Sequence, residues 1–251
     1  MMWKCSPWAL LPPAYSICTA AGLWLVYIVA IYSETVLPLN SQSRTRNGSR
    51  YPPFISVSGN FPPASCIFSG VMNMAAFVGW IIGILRYLQL KKAVDKSWLN
   101  FGSLLCFSIA CFGMTVVGNV QVFNQMMIHN SGTIMTFGPG CLFCWLQSYL
   151  TLRADLRKEG RKTAIARFLL SAVITLCIVI HCSFIAVRSL LNAARWQWAL
   201  VMFVLMFIGT FGIEFRHSSF EIVCTDTPRH PVRQSETSEE SRQQLEQPSE
   251  L

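Results

Sequence analysis

Cys141 and Cys144 form the chain's single CxxC, a spacing that can hold zinc or cycle between dithiol and disulfide. Both sit in an apolar run with no second CxxC and no histidine beside them, and there cysteines act as small apolar residues. Pumps and transporters keep ionisable groups inside the bilayer because their chemistry needs them. In this chain the apolar runs hold only His181, with Arg86 and Glu214 at their ends. Asn73 and Asn119 are the other polar candidates, and a lone Asn or His in a bundle reads first as an interhelical hydrogen-bond partner. There is no HExxH, no Gly-rich phosphate loop and no spaced Ser, His and Asp set. The residue types therefore argue against an enzyme, and no cofactor or metal site is expected.

The elements that must position these residues are membrane helices. Between Lys96 and Arg153 the sequence has no Lys, Arg, Asp or Glu, and His129 is the one group there that could take a charge. As a single helix that stretch would extend about 84 Å, against a hydrocarbon core of roughly 30 Å, so it must cross twice. The fold-back falls at the polar cluster from Gly118 to Ser131, which contains Asn119 and His129. With 53% hydrophobic and 13% charged residues, the whole chain reads as an all-α polytopic membrane protein, a bundle of six transmembrane helices. The spans are expected at about 9–32, 66–86, 98–119, 132–152, 167–187 and 196–214, within a membrane domain of residues 1–224. The first run is too long for a secretory signal and reads as an uncleaved anchor.

Lys and Arg are retained on the cytoplasmic side of short loops. Cytoplasmic N- and C-termini place 15 of the 20 Lys and Arg residues inside, leaving Arg44, Arg46, Arg50, Arg188 and Arg195 outside. The same orientation exposes the sequon Asn47-Gly48-Ser49 on the first outer loop, so Asn47 is the expected glycosylation site. The net charge of +8 lies on loops beside spans, which points to membrane lipids as partners rather than nucleic acid.

The first outer loop, Tyr32 to Ser65, has a polar part and then a proline-rich part that should form defined turns. Cys66 lies at the outer face; its nearest conceivable disulfide partner is Cys182, and that pairing is weakly supported. Cys5 and Cys224, near the inner boundary, fit reversible palmitoylation but read first as plain thiols. The segment from Arg153 to Arg167 reads as a charged inner loop in which Gly160 marks a helix end and turn. Residues 225–251 are rich in Ser, Glu and Gln, cannot bury a core and should form a disordered cytoplasmic tail. Ser249 and Leu251 match the pattern that adds as a strand to a PDZ groove, making a PDZ protein a candidate partner. Gly79 and Gly83 form a GxxxG expected to meet another helix of the same chain; a homo-oligomer stays open.

A self-sufficient cation pore needs acidic rings or a carbonyl filter. The outer loops carry five arginines against Glu34 alone, a field that repels cations unless Glu34 forms a ring in an oligomer. Candidate structural or gating residues are thus Glu34, Cys66, Asn73, Asn119, His129 and Glu214.

Several segments resemble the damage-regulated autophagy modulator family and its transmembrane protein 150 group. They are Gly22-Leu23-Trp24 with Tyr27, Pro53-Phe54-Ile55-Ser56, Pro62-Pro63-Ala64-Ser65-Cys66, Asn73-Met74-Ala75-Ala76-Phe77, Gly118-Asn119-Val120-Gln121 and Ile128-His129-Asn130. Leu37-Pro38-Leu39-Asn40-Ser41, Thr136-Phe137-Gly138, Gln197-Trp198 and Glu214-Phe215-Arg216-His217 are most similar to the C branch, also called tentonin. The resemblance implies six spans and a component or modulator of a mechanically activated, slowly inactivating cation channel at the plasma membrane. A partner mechanosensitive channel would then be expected. Other branches imply a regulator of autophagy in lysosomal or endosomal membranes, or a scaffold for a phosphoinositide kinase. The resemblance transfers no catalytic residue.

Overall fold

The computed structural model describes residues 6–41, 50–154 and 160–220. Its helices follow the apolar runs, because in hydrocarbon the backbone must satisfy its own hydrogen bonds. After a 3-10 turn at Pro7–Leu10 come α1 (Leu11–Tyr32), α2 (Ile55–Ser58), α3 (Ala64–Leu90), α4 (Ser97–Asn119), α5 (Met126–Ala154), α6 (Gly160–Ala186), α7 (Leu190–Gly209) and α8 (Gly212–Phe215). Among the described residues the sole β feature is an isolated bridge between Val36 and Tyr51.

Five helical stretches are long and apolar enough to cross a membrane: Pro7–Tyr32, Ala64–Leu90, Ser97–Asn119, Gly160–Ala186 and Leu190–Phe215. The fourth expected span, 132–152, lies in α5, which at 29 residues extends about 43 Å and has the length. It falls short in apolarity because it turns Gln147, Ser148 and Thr151 into the interior, where all three are buried. It also carries Pro139 inside the helix, which removes one backbone donor from its ladder. The charged segment after α5 also differs from expectation. Gly160 opens α6 rather than closing a helix, so Arg161 to Arg167 are helical and Arg167 is buried.

Each long helix packs on its chain neighbour in the order α1, α3, α4, α5, α6, α7, and α1 closes the ring against α7. Where α4 meets α5, a Cβ on Gly113 would come within 2.7 Å of the Gly132 carbonyl, so the backbones approach as only small residues allow. The Gly79 and Gly83 face does meet helices of the same chain. A Cβ on Gly83 would strike the Phe107 ring at 2.6 Å, and one on Gly79 would lie 3.2 Å from the Tyr15 hydroxyl.

Inside the ring, buried aromatic side chains from α4, α5, α7 and the turn before α8 pack together. Phe107 and Phe143 stack with centroids 4.2 Å apart, and Phe207 and Phe211 pack edge-on against Phe143 at 6.4 and 6.0 Å. With an even number of helices alternating in direction, the two ends of the bundle's chain come together. The Ser6 N–H donates to the Arg216 carbonyl at 3.2 Å, and the Trp8 ring meets Phe220 edge-on at 5.6 Å.

Candidate functional site

Near the end where the chain ends meet, α3 supplies Arg86, α6 supplies Arg167 and α8 supplies Glu214. Both guanidiniums are 0% exposed and the carboxylate 8%. Arg167 grips Glu214 with two nitrogens, Nη1 to Oε1 at 2.8 Å and Nη2 to Oε2, the bidentate geometry a planar fork allows. Arg86 Nη2 shares the same Oε1 at 2.9 Å.

The cluster holds two positive charges and one negative, and a buried charge is tolerated only when its donors are met. They are met from every side. Arg86 donates Nε to Gln147 Oε1 at 3.0 Å, Nη1 to Gln89 Oε1 at 2.6 Å and Nη2 to Thr151 Oγ1 at 2.9 Å. Arg167 donates Nε to Thr210 Oγ1 at 2.9 Å and Nη1 to Thr151 Oγ1. Gln147 in turn donates to Ser103 Oγ on α4 at 2.9 Å. The Phe211 ring lies under both guanidiniums, 5.2 Å from Arg86 Cζ and 4.5 Å from Arg167 Cζ, and the negative face of its π system attracts both cations. Thr151 falls one turn after Gln147 on α5, so the two point the same way into the cluster.

Chemically this is a clamp. A guanidinium does not give up its proton in proteins, and the Glu214 carboxylate spends its oxygens on Arg86 and Arg167, so the group holds helices together. It fixes α3, α5, α6 and α8 in one register. A slide of α6 past α8 by a fraction of a helical turn would break the bidentate contact.

The opposite end of the bundle holds the other candidates. Asn73 and Asn119 form a reciprocal amide pair between α3 and α4, each Nδ2 donating to the other's Oδ1 at 3.0 Å, with the Ser69 hydroxyl joining at 2.8 Å. Buried His129 closes the α4–α5 hairpin, its Nδ1–H donating to the Val120 carbonyl at 2.6 Å. Its orientation fixes the tautomer, since a carbonyl can only accept. His181 makes the equivalent contact between α6 and α7, through Nδ1 and the Ala193 carbonyl at 2.8 Å.

The loop between α1 and α3 is tied to α7. Gln197 Oε1 accepts from the Ile55 N–H at 3.0 Å, Trp198 Nε1 donates to the Pro53 carbonyl at 2.9 Å, and Arg195 donates to the Leu39 and Ser41 carbonyls, each at 2.7 Å. Glu34 stands just past the end of α1 with φ of 55°, where the Glu34 and Thr35 N–H groups cap the Ile31 and Ala30 carbonyls. Its carboxylate pairs with Arg50 at 2.8 Å and is 74% exposed. Arg188 repeats the same cap at the end of α6 with φ of 57°.

Cys66 and Cys182 are both exposed free thiols. Cys144 is buried, while Cys141 lies 3.4 Å from the Thr175 hydroxyl; among the described residues no group of three His, Cys, Asp or Glu side chains could hold a metal ion. Asn47, Ser249, Leu251, Cys5, Cys224 and the tail 225–251 lie outside the described residues.

The structure thus brings Glu214 together with Arg86 and pairs Asn73 with Asn119, while Glu34, Cys66 and His129 stand apart from the clamp. Sequence reasoning missed Arg167, Gln147 and Thr151. The readable signal was the i, i+4 pair Gln147 and Thr151 in an otherwise apolar stretch, but nothing local linked it to Arg167 or Glu214.

The chain matches the Frag1/DRAM/Sfk1/Cwh43P N-terminal domain over residues 7–218. It is similar to a modulator of macroautophagy, TMEM150B of Xenopus tropicalis, at 32% identity over 216 residues, which cover 86% of this chain and 88% of that protein. Transmembrane protein 150A of Mus musculus is 31% identical over 226 residues, 83% of each chain. Human TMEM150B, also named a modulator of macroautophagy, is 34% identical over 214 residues, 82% of this chain and 85% of its own. No solved structure matches.

Proposed function

This chain belongs to the Frag1/DRAM/Sfk1/Cwh43P N-terminal domain family of multi-pass membrane proteins, and from that premise we propose that it modulates a mechanically activated, slowly inactivating cation channel at the plasma membrane. The observation that carries modulation rather than conduction is the aromatic cluster inside the ring. Phe107, Phe143, Phe207 and Phe211 pack together as buried side chains next to the clamp, and the buried charged side chains turn to that closed clamp instead of lining a path. Ion passage through one chain would need polar groups where these rings stand. The channel reading itself rests on the C-branch resemblance of Leu37 to Ser41, Gln197-Trp198 and Glu214 to His217. In this reading the clamp sets the register of α3, α6 and α8, and a change of register is what a partner channel feels.

The test is whole-cell recording under membrane indentation in cells lacking stretch channels, with and without a known stretch channel added. Modulation predicts no current from this protein alone and slower inactivation when the channel is present. Purified protein in liposomes that passes stretch-activated cation current, altered by Glu34→Gln, would replace modulation by a genuine pore.

A second reading is favoured by the names of the relatives, two of which are modulators of macroautophagy. The protein would then regulate autophagy, or scaffold a phosphoinositide kinase, from lysosomal or plasma membranes. Confinement of endogenous protein to lysosomes, with altered autophagic flux and unchanged mechanical currents on its loss, would favour it over the first.

A further inference from the structure

Three apolar spaces adjoin one another along α1. The first, about 440 Å³, lies against Pro7, Trp8 and Leu10 at the end where the chain ends meet. It shares Leu11 and Ala14 with a groove of about 400 Å³ between α1 and α3, whose walls include Cys18, Gly70 and Met74. That groove shares Tyr15, Thr19 and Ala75 with an interior cavity of about 100 Å³, bounded by α1, α3, α4, α5 and α7 and roofed by Ile55 and Ser56 of α2. Tyr15, Thr19 and Ala75 are therefore the wall between a lipid-facing groove and the inside of the bundle.

Chemistry and depth both narrow the occupant. Of the polar residues on the cavity wall, Thr133 and Thr136 donate to their own helix at the His129 and Gly132 carbonyls and Gln197 Oε1 accepts from Ile55, while Tyr15, Thr19 and Ser56 bring the other hydroxyls. The rest of the lining, Leu23, Phe68, Val117 and Leu205 among it, is apolar, which favours hydrocarbon over an ion. An apolar cavity of ~150 Å³ in another protein stays dry and takes up benzene, so the present one suits the end of a chain, not a whole lipid. At 1.5 Å per residue, Tyr15 and Thr19 stand roughly 12 and 18 Å from Pro7. Half a hydrocarbon core is about 15 Å. The wall thus lies at the depth where an acyl chain of the leaflet beside Trp8 comes to its end, and Trp8 is a residue type that settles at the headgroup boundary. The groove faces that leaflet directly, with Ile17 69% and Met74 63% exposed around it.

We propose that a lipid of this leaflet lays one acyl chain along the α1–α3 groove and inserts the chain's end past Tyr15, Thr19 and Ala75 into the cavity. The site is independent of which partner the protein modulates. It gives the bundle a bilayer component among α1, α3, α4, α5 and α7, so that chain length and order in one leaflet bear on helix packing.

The full-length protein in phosphatidylcholine nanodiscs, doped with a phosphatidylcholine bearing a photoreactive diazirine at the end of one chain, tests this by mass-spectrometric mapping of adducts. Adducts are expected inside, on Met114, Phe137 or Val201, as well as on the outward residues Ile134 and Leu169. Ala75→Leu narrows the wall, and Gly70→Phe fills the groove at a position where a side chain meets no neighbour within 4 Å. Each should lower the interior adducts roughly tenfold, the ratio set by ~1.4 kcal/mol, with Ile134 and Leu169 held within about twofold. Absence of interior adducts in the unmodified protein would overturn the proposal. So would interior labelling that both variants leave unchanged, since the chain would then enter by another route.

Discussion

Glu214→Gln is the most informative single change, because it keeps the shape of the side chain and removes only its charge. In the native clamp that carboxylate receives two contacts from Arg167 and one from Arg86. Without it the cluster goes from one excess positive charge to two, with both guanidiniums still 0% exposed and held by neutral acceptors. Breaking a buried ion pair from one side costs about 3–5 kcal/mol. For a chain of this size that corresponds to a fall in melting temperature of roughly 6–20 °C, at ~2–4 °C per kcal/mol. Arg86→Gln works in the opposite sense on charge. It leaves the bidentate Arg167–Glu214 pair intact and neutral, so its cost is the lost contact to one Glu214 oxygen and the lost hydrogen bonds to Gln89, Gln147 and Thr151, about 1–3 kcal/mol. Arg167→Gln falls between, leaving Glu214 with the single Arg86 contact. The assay is residual monodisperse protein by size exclusion after stepped heating in a mild detergent. The expected order of loss is Glu214→Gln, then Arg167→Gln, then Arg86→Gln. The double variant Arg86→Gln with Glu214→Gln should be less than additive, because the two share one contact. A Glu214→Gln protein that melts with the wild type, or an Arg86→Gln protein that loses more than Glu214→Gln, would refute the charge argument.

Other outcomes follow from local geometry. Gly83→Leu drives a side chain into the Phe107 ring and should cost about 1–3 kcal/mol or more, whereas Gly102→Ala, in open space on α4, should lose nothing in the same melt. Arg188 holds a left-handed conformation at the α6 cap, so Arg188→Gly should raise stability by about 0.5–1 kcal/mol, read as a higher melting temperature. A glycosidase-sensitive mobility shift that vanishes in Asn47→Gln is expected of protein matured at the cell surface; an unshifted mature protein would count against the orientation drawn from the charges.

The helices were legible because hydrocarbon leaves the backbone few options, and the uncharged runs mark where those options apply. Even the fourth span could be placed from the gap between Lys96 and Arg153, although α5 is the least apolar of the six long helices. Its polar residues read as a weak span in one dimension; in three they are the inward face that satisfies Arg86 and Arg167. The same limit hid Arg167 itself. Next to Arg161 and Lys162 it looks like loop charge, and only the packing of α6 against α8 puts it beside Glu214.

Composition and charge spacing alone determined that this is a multi-span membrane protein of helices, because burial in lipid depends on each segment's own apolarity. Which polar residues meet depends on helix order, rotation and depth. Tertiary structure therefore decided the Arg86–Glu214–Arg167 clamp, the Asn73–Asn119 pair, the aromatic cluster and the cavity behind Tyr15, since each joins residues from helices far apart in the chain.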